Sequence, residues 1–443
     1  MRKTAPLFLL TLLAAAPASA DTGSWLPGWL GGVTRAAGDA VVTATAPGLW
    51  PFLTQTSANA ARWARDGSYP VRQGNQVDLY VDGQESWKAI IDNINQATKY
   101  VYATFAYVDL RFHPIPGDKR TILDFLDAAA KRGVDVKVVI WDPALKTPDT
   151  LPDPKAAAIP GINAGKGTME ARWDVAHGKG PWLPVTGCHH QKTFAMDGPD
   201  GRPVSFVGGI NAVQSYWSTQ AHSPDDARRL ADLPPGVTAP PTAERLAKTP
   251  PLHDVFSRIE GPSAVDVACN FSERFDGATY KHEGATADAP SCASLRASAA
   301  NVPALPPGRA IPAQIVRTIA PDDYKTLPKG EESIREVYIR AILSAKKYIY
   351  FEDQYFYDHE ITVALQLAAN RGVKVIGLLT AHPDEGQFTG AVETPLETIA
   401  QGETVELTKL AGHGNIALYS PAVAEPDPAN PGKYKYQEIY VHA

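Results

Sequence analysis

The chain is punctuated by short segments with clear apolar periods. Val77 to Val81 alternates as a half-buried strand does, and Asp82-Gly83 turns it. From Glu85 to Lys99, apolar residues at Trp87, Ile90, Ile91, Ile94 and Ala97 form one helical stripe. Tyr100 to Tyr107 is aromatic and β-branched, which predicts a strand. A second helix is expected over Thr121 to Arg132, with Ile122, Phe125, Leu126 and Ala129 on one face and Gly133 as its C-terminal cap. Val134 to Trp141 then reads as a strand. Strands alternating with helices predict an α/β fold with a mixed, largely buried sheet flanked by helices.

The pattern recurs. Helix periodicity covers Glu332 to Lys347, a strand starts at Tyr348-Ile349-Tyr350-Phe351, a helix spans Ile361 to Arg371, Gly372 caps it, and Val373 to Leu379 is a strand. Ala97-Thr98-Lys99-Tyr100-Val101-Tyr102 matches Ala345-Lys346-Lys347-Tyr348-Ile349-Tyr350 at an offset of 248, and Arg132-Gly133-Val134 matches Arg371-Gly372-Val373 at 239. The chain is therefore read as an internal duplication, with halves over 75–282 and 313–443. The Pro/Ala/Gly-rich stretch 283–312 reads as the linker between them. Residues 216–251, with three Pro-Pro pairs, form a long loop expected to act as a lid or rim.

The N-terminus has a different logic. Arg2 and Lys3 precede an apolar run from Leu7 to Ala16, broken by Pro17 and followed by Ala18-Ser19-Ala20. This is the form of a secretory signal peptide over 1–20, cut between Ala20 and Asp21. The run is too short to span a bilayer, so no transmembrane span is expected. Residues 21–74 are irregular, with Trp25, Trp29, Trp50 and Phe52 among Gly and Pro. They could serve as an interfacial apron for lipid, although such aromatics more often cover a core.

The 443 residues leave room for two or three domains, and 44% hydrophobic with 20% charged residues excludes a disordered, collagenous or coiled-coil chain. The net charge is −6, or −8 once Arg2 and Lys3 are removed, which argues against a nucleic-acid partner. Three cysteines remain: Cys188, Cys269 and Cys292. Export permits one disulfide among three possible pairings. Cys269–Cys292 closes the shortest loop. Cys188, near His190, is read as a buried small residue rather than a nucleophile.

The chemistry concentrates in Cys188-His189-His190-Gln191-Lys192-Thr193-Phe194-Ala195-Met196-Asp197-Gly198, a strand entering a hairpin turn. His190 and Lys192 are two apart, so they share a face. An ammonium beside an imidazole suits an anionic substrate: the first holds phosphate oxygens, the second attacks phosphorus or carries a proton. A metal is disfavoured there, because the lysine repels it. Gly208 and Gly209 let backbone approach a ligand, and Asn211 can donate its amide to a phosphate oxygen. With 11 histidines, chance yields about 0.03 matches to His-x-Lys-x4-Asp.

On these residues the chain resembles the phospholipase D superfamily, whose members carry two His-x-Lys-x4-Asp copies on duplicated α/β halves. His190, Lys192 and Asp197, followed by Gly208-Gly209-Ile210-Asn211, match the first copy. The stretches from His253-Asp254-Val255 to Val267 and from Ile349 to Phe356 are similar to the larger, eukaryote-like members. Asp353 stands where those commonly have Asn. Ile439-Tyr440-Val441-His442-Ala443 resembles the start of the second copy, 252 residues after His190, and the chain ends before its lysine. The expectation is a chain cut inside that motif and inactive alone.

The resemblance implies two-step phosphodiester transfer on a phospholipid such as phosphatidylcholine. His190 attacks phosphorus, and His442 protonates the leaving oxygen and then activates water or another alcohol. Lys192 and Asn211 hold nonbridging oxygens. Asp197 is grouped with the catalytic motif but reads as orienting or structural. Glu352 is the candidate to hold the His190 imidazole or bind substrate. His189 reads as structural, and His253-Asp254 as pocket rim or core. No cofactor or metal is implied, and a monomer is expected. A nuclease, a phosphatidyltransferase of the cardiolipin synthase kind, or a binding remnant are the alternatives.

Overall fold

A computed structural model describes residues 46–49, 52, 63–65, 67–109, 111–141, 169–174, 189–230, 241–278, 280–281, 288–300, 305, 310–356, 358–380, 406–427 and 430–442. The leader, Trp25, Trp29, Trp50 and Cys188 lie outside the described residues.

The first half begins with β1 (Arg72–Val81), α1 (Asp82–Gln96), β2 (Tyr100–Phe105), α2 (Ile122–Lys131) and β3 (Asp135–Trp141). Thr121 caps α2 in a reciprocal box with Asp124, and Gly133 closes it at φ 93°, a conformation that disfavours any side chain. β4 (Met169–Asp174), β5 (Lys192–Asp197) and β6 (Pro203–Gly208) follow. The 216–251 loop contains a short helix α3 (Thr242–Ala247), and its 231–240 portion lies outside the described residues. Beyond it come β7 (Leu252–His253), β8 (Val255–Glu260), α4 (Pro262–Gly277) and β9 (Tyr280–Lys281).

The sheet runs β10-β1-β8-β6-β5-β2-β3-β4-β9, where β10 is Ile311–Ala313. β2, β3 and β4 are parallel, and the other pairings are antiparallel. The near-continuous apolar run of β2 follows from burial on both faces. Val101, Ala103 and Phe105 join the core under α1 and α2, with Trp87, Ile90 and Phe125. Tyr102 points the other way, into the core under α4, with Val267, Phe271 and Phe275.

The stretch 283–312 is not a bare linker. It holds α5 (Cys292–Ala299), N-capped by Ser291 and joined to α4 by a Cys269–Cys292 disulfide, the shortest-loop pairing. Its Ala/Ser composition hid the helix, because only Leu295 is buried and a covalent bond supplies the anchor.

The second half carries β11 (Thr318–Ile319), β12 (Glu331–Glu332), α6 (Ser333–Ser344), β13 (Tyr348–Asp353), α7 (His359–Asn370), β14 (Lys374–Leu379), β15 (Ile416–Tyr419), β16 (Ala422–Pro426), β17 (Tyr434–Glu438) and β18 (Tyr440–Val441). The duplication is visible in pairing register. Tyr100 faces Asp135 in the parallel pair of the first half, and Tyr348 faces Lys374 in that of the second. The sequence offsets of 248 and 239 carry one pair onto the other. Leu49 and Phe52 pack against this second core, so that part of the N-terminal segment covers apolar surface. Among the described residues no helix is long and apolar enough to cross a membrane.

Candidate active site

The entry to β5 brings His190 and Lys192 to one face, and Gln191 to the other. There Gln191 Oε1 accepts from Asn270 Nδ2 at 2.8 Å and from Arg274 Nη1 at 3.2 Å, so α4 pins the segment from behind. Lys192 is buried, and its ammonium lies 3.1 Å from the ring nitrogens of His190. His190 keeps open surface, yet protein atoms crowd it, as at the floor of a cleft. That desolvation first, then the Lys192 ammonium and His442, hold its imidazole well below the usual histidine value. The ring is neutral at pH 7, which leaves a lone pair for attack.

The second histidine arrives from far along the chain. β18 pairs in parallel with β7, and the His442 amide donates to the His253 carbonyl at 2.9 Å. On the other side, Thr380 Oγ1 donates to the Val441 carbonyl and accepts from its amide, at 2.8 and 2.9 Å. Held between the halves, the His442 ring lies 6.4 Å, centroid to centroid, from that of His190. Tyr216 stands edge-on to His442 at 4.9 Å.

His442 Nδ1 meets Asp254 Oδ2 at 2.7 Å, and Asp254 is fully buried. A buried carboxylate on Nδ1 fixes the tautomer and leaves Nε2 for the reacting atoms. Sequence reasoning placed His253-Asp254 at the rim or in the core. The adjacent pair does face opposite ways, and each side chain serves a distant partner.

Asn211 Oδ1 accepts from the Tyr107 amide at 3.2 Å. Its Nδ2 is buried and has no hydrogen-bond acceptor among the described residues, as befits a donor reserved for an anionic oxygen. His189 is buried against Asp323 and the Tyr324 ring, in the structural role expected of it.

Three expectations change. Asp197, grouped with the catalytic motif though read as orienting or structural, stands away from the site and has only the structural part. It stands at the far end of the six-residue β5, about 17 Å from Lys192. There its carboxylate accepts from the amides of Thr98, Lys99 and Tyr100 and from the Thr98 hydroxyl, and so ties the start of β2 to the hairpin. Gly208 and Gly209 do not make room for a ligand. A Cβ on Gly208 would come within 2.3 Å of the Val255 carbonyl, and one on Gly209 within 2.3 Å of Asp254 Oδ1. Glu352 does not hold His190 but accepts from His253 Nε2 at 3.0 Å and from the Tyr350 hydroxyl at 2.5 Å.

The Gly209 contact has a measurable consequence. Gly209→Ala pushes the Asp254 carboxylate off His442, and kcat is expected to fall about 100-fold, as for an ångström-scale misplacement. Steady-state kinetics check this, and wild-type kcat in the variant would refute the packing argument.

Next to Asp254 a second polar cluster has formed. His253 Nδ1 lies 3.1 Å from Asp82 Oδ1, and the Asp254 amide donates to the same oxygen at 3.3 Å. Asp82 and then Glu352 raise the His253 imidazole to about 10. This pairing therefore stabilises the fold in full below the ordinary histidine value, and its contribution is lost as pH rises through about 10.

Two histidines, a buried ammonium and an orienting carboxylate suit in-line transfer of a phosphoryl group between alcohol oxygens. The chain is 26% identical over 380 residues to phospholipase D gamma 2 of Arabidopsis thaliana, a match covering 65% of this chain and 42% of that one. It is 26% identical to phospholipase D A of Dictyostelium discoideum, over 85% of this chain and 31% of that one. The chain thus spans less than half the length of these curated relatives. Among solved structures, phosphatidylserine synthase of Haemophilus influenzae matches at 14% identity and a TM-score of 0.42, covering 85% of this chain and 77% of that one. The phospholipase D family model matches residues 93–362, more than half of the sequence and including His190 and Lys192, and so the chain belongs to the phospholipase D family.

Proposed function

We propose that this protein is an exported phospholipase D that cleaves the distal phosphodiester bond of glycerophospholipids such as phosphatidylcholine, giving phosphatidic acid and the free headgroup alcohol. The observation that carries this reading is the pairing of a neutral His190 beside Lys192 with an Asp254-bound His442, ring centroids 6.4 Å apart. In the first step the His190 lone pair attacks phosphorus. The phosphorus–oxygen bond to the headgroup breaks, and His442 supplies the proton that the departing oxygen takes up. Water then gives its proton to His442 and attacks the phosphohistidine, which returns His190 and releases phosphatidic acid. A second alcohol in place of water gives transphosphatidylation. Lys192 and Asn211 stabilise the charge on the nonbridging oxygens. Export is supported by the leader-like N-terminus and by the Cys269–Cys292 disulfide, a bond that persists in oxidising compartments.

The test is release of choline from phosphatidylcholine vesicles by the protein expressed from its whole gene. Release that needs His190 supports the proposal. Cleavage of single-stranded DNA without choline release would overturn it in favour of a nuclease.

A further inference from the structure

Beside the catalytic pair, three segments converge on Asp82: its own turn between β1 and α1, the 218–222 loop, and β7. Asp82 is fully buried, and one donor atom each from Asp82, His222 and His253 falls within 4.8 Å of the others. Asp82 Oδ1 is accounted for by His253 Nδ1 and the Asp254 amide. Asp82 Oδ2 is not. It faces His222 Nε2 at ion-pair distance, 3.1 Å, but off the line of a good hydrogen bond, and among the described residues neither buried atom has a well-aligned hydrogen-bond partner. An imidazole and a carboxylate that face each other in the interior without an aligned hydrogen bond have donor atoms aimed at a shared point between them.

From this geometry we infer a binding site for a divalent transition-metal ion, of the Zn²⁺ class, held by Asp82 Oδ2, His222 Nε2 and His253 Nδ1, with water at a fourth position. The spacing is of the right order: metal–ligand bonds of about 2.0–2.1 Å at tetrahedral angles separate neighbouring donors by about 3.3 Å. Asp82 Oδ2 stands 3.1 Å from His222 Nε2, His253 Nδ1 stands 3.1 Å from the carboxylate's other oxygen, Oδ1, and one donor from each residue falls within 4.8 Å of the others. The outer groups also fit. His253 presents Nδ1 inward and its Nε2 to Glu352 at 3.0 Å, and Glu352 takes the Tyr350 hydroxyl. This carboxylate–histidine–metal relay orients an imidazole ligand and makes it more basic. Two imidazoles with one carboxylate favour Zn²⁺ or its neighbours over Mg²⁺ and Ca²⁺, which prefer all-oxygen sites. On binding, His253 gives its Nδ1 proton to solvent, and the ion takes that lone pair.

The ion would clamp β7, whose His253 carbonyl accepts from the His442 amide and whose next residue is Asp254. It touches neither reacting histidine. The site therefore steadies the strand that carries the general acid and takes no part in the phosphoryl transfer described above.

The test uses the full protein freed of metal with a chelator. Zn²⁺ titration by calorimetry is expected to give one site, with a raised melting temperature, and Co²⁺ in its place is expected to give the intense visible bands of a tetrahedral ion. His222→Gln should weaken Zn²⁺ binding at least 100-fold. Glu352→Gln should weaken it 10- to 100-fold, as loss of an outer partner does. His190→Ala should leave it unchanged, which separates this site from the catalytic pair. Failure of the wild-type protein to bind one Zn²⁺, an octahedral Co²⁺ spectrum, or equal affinity in His222→Gln would each overturn the inference. The Co²⁺ spectrum needs no variant, so the outcome does not depend on how well one folds.

Discussion

Replacing His190 with alanine lowers turnover roughly 10⁴- to 10⁶-fold, the scale of loss when a nucleophile working in a concerted set is removed. The fold should tolerate the change. His190 has open surface, and its ring contacts are with Lys192, Tyr107 and His442 rather than with the apolar cores. Circular dichroism and melting temperature are thus expected to match the wild type while choline release disappears. The wild-type pH profile gives an independent check. Attack needs the neutral imidazole, and burial, Lys192 and His442 all lower its proton affinity. The acid limb of kcat/KM, which reports the free enzyme, is expected below the ordinary histidine value of about 6.5. Activity falls as pH drops through that limb. An acid-labile phosphoryl adduct should be trapped on the wild type and absent from the variant. Appreciable turnover by His190→Ala, or an acid limb above the ordinary value, would remove His190 from the nucleophile's role.

Legibility in the sequence followed the range of the interactions. The paired α/β units were visible because each helix stripe and strand run is local, and because Gly133 and Gly372 mark equivalent caps at φ 93° and 92°. His190 and Lys192 were visible because two residues on one strand end share a face whatever surrounds them. His442 was visible through its register with the duplication, but the contacts that complete the site were not. Asp254 and His442 are 188 positions apart, Asp82 and His253 are 171 apart, and their meeting depends on how β7 is sandwiched between β18 and the first turn of the fold. A motif spacing also says nothing of direction along a strand. Asp197 satisfies the spacing and still lies at the wrong end of β5, where it anchors backbone amides. Glycine was ambiguous for a related reason: its missing side chain can admit a ligand or a neighbouring carboxylate, and only packing decides that Gly209 admits Asp254.

Changing Asp254 to asparagine should cost roughly 10³- to 10⁴-fold in choline release, the scale seen when the carboxylate behind a catalytic histidine is replaced by an amide. Asparagine has nearly the same volume, so the buried site need not collapse. Its amide can turn an N–H toward His442 Nδ1, which then carries the lone pair and forces the proton onto Nε2. It also removes the negative charge that stabilises the imidazolium formed when His442 accepts a proton. The two halves of the reaction ask different things of this residue. With choline as leaving group, His442 must give a proton in the first step. With p-nitrophenol as leaving group, no proton is needed, since the phenolate departs readily. A phosphatidyl-p-nitrophenol substrate should therefore show a fast burst of p-nitrophenol from Asp254→Asn, close to one equivalent per site. Slow turnover should follow, because hydrolysis of the phosphohistidine still needs His442 to take a proton from water. A merely structural role for Asp254 would slow the burst and the steady state alike, for both substrates. Equal losses in all four measurements would thus return Asp254 to the packing role first read from its position beside His253.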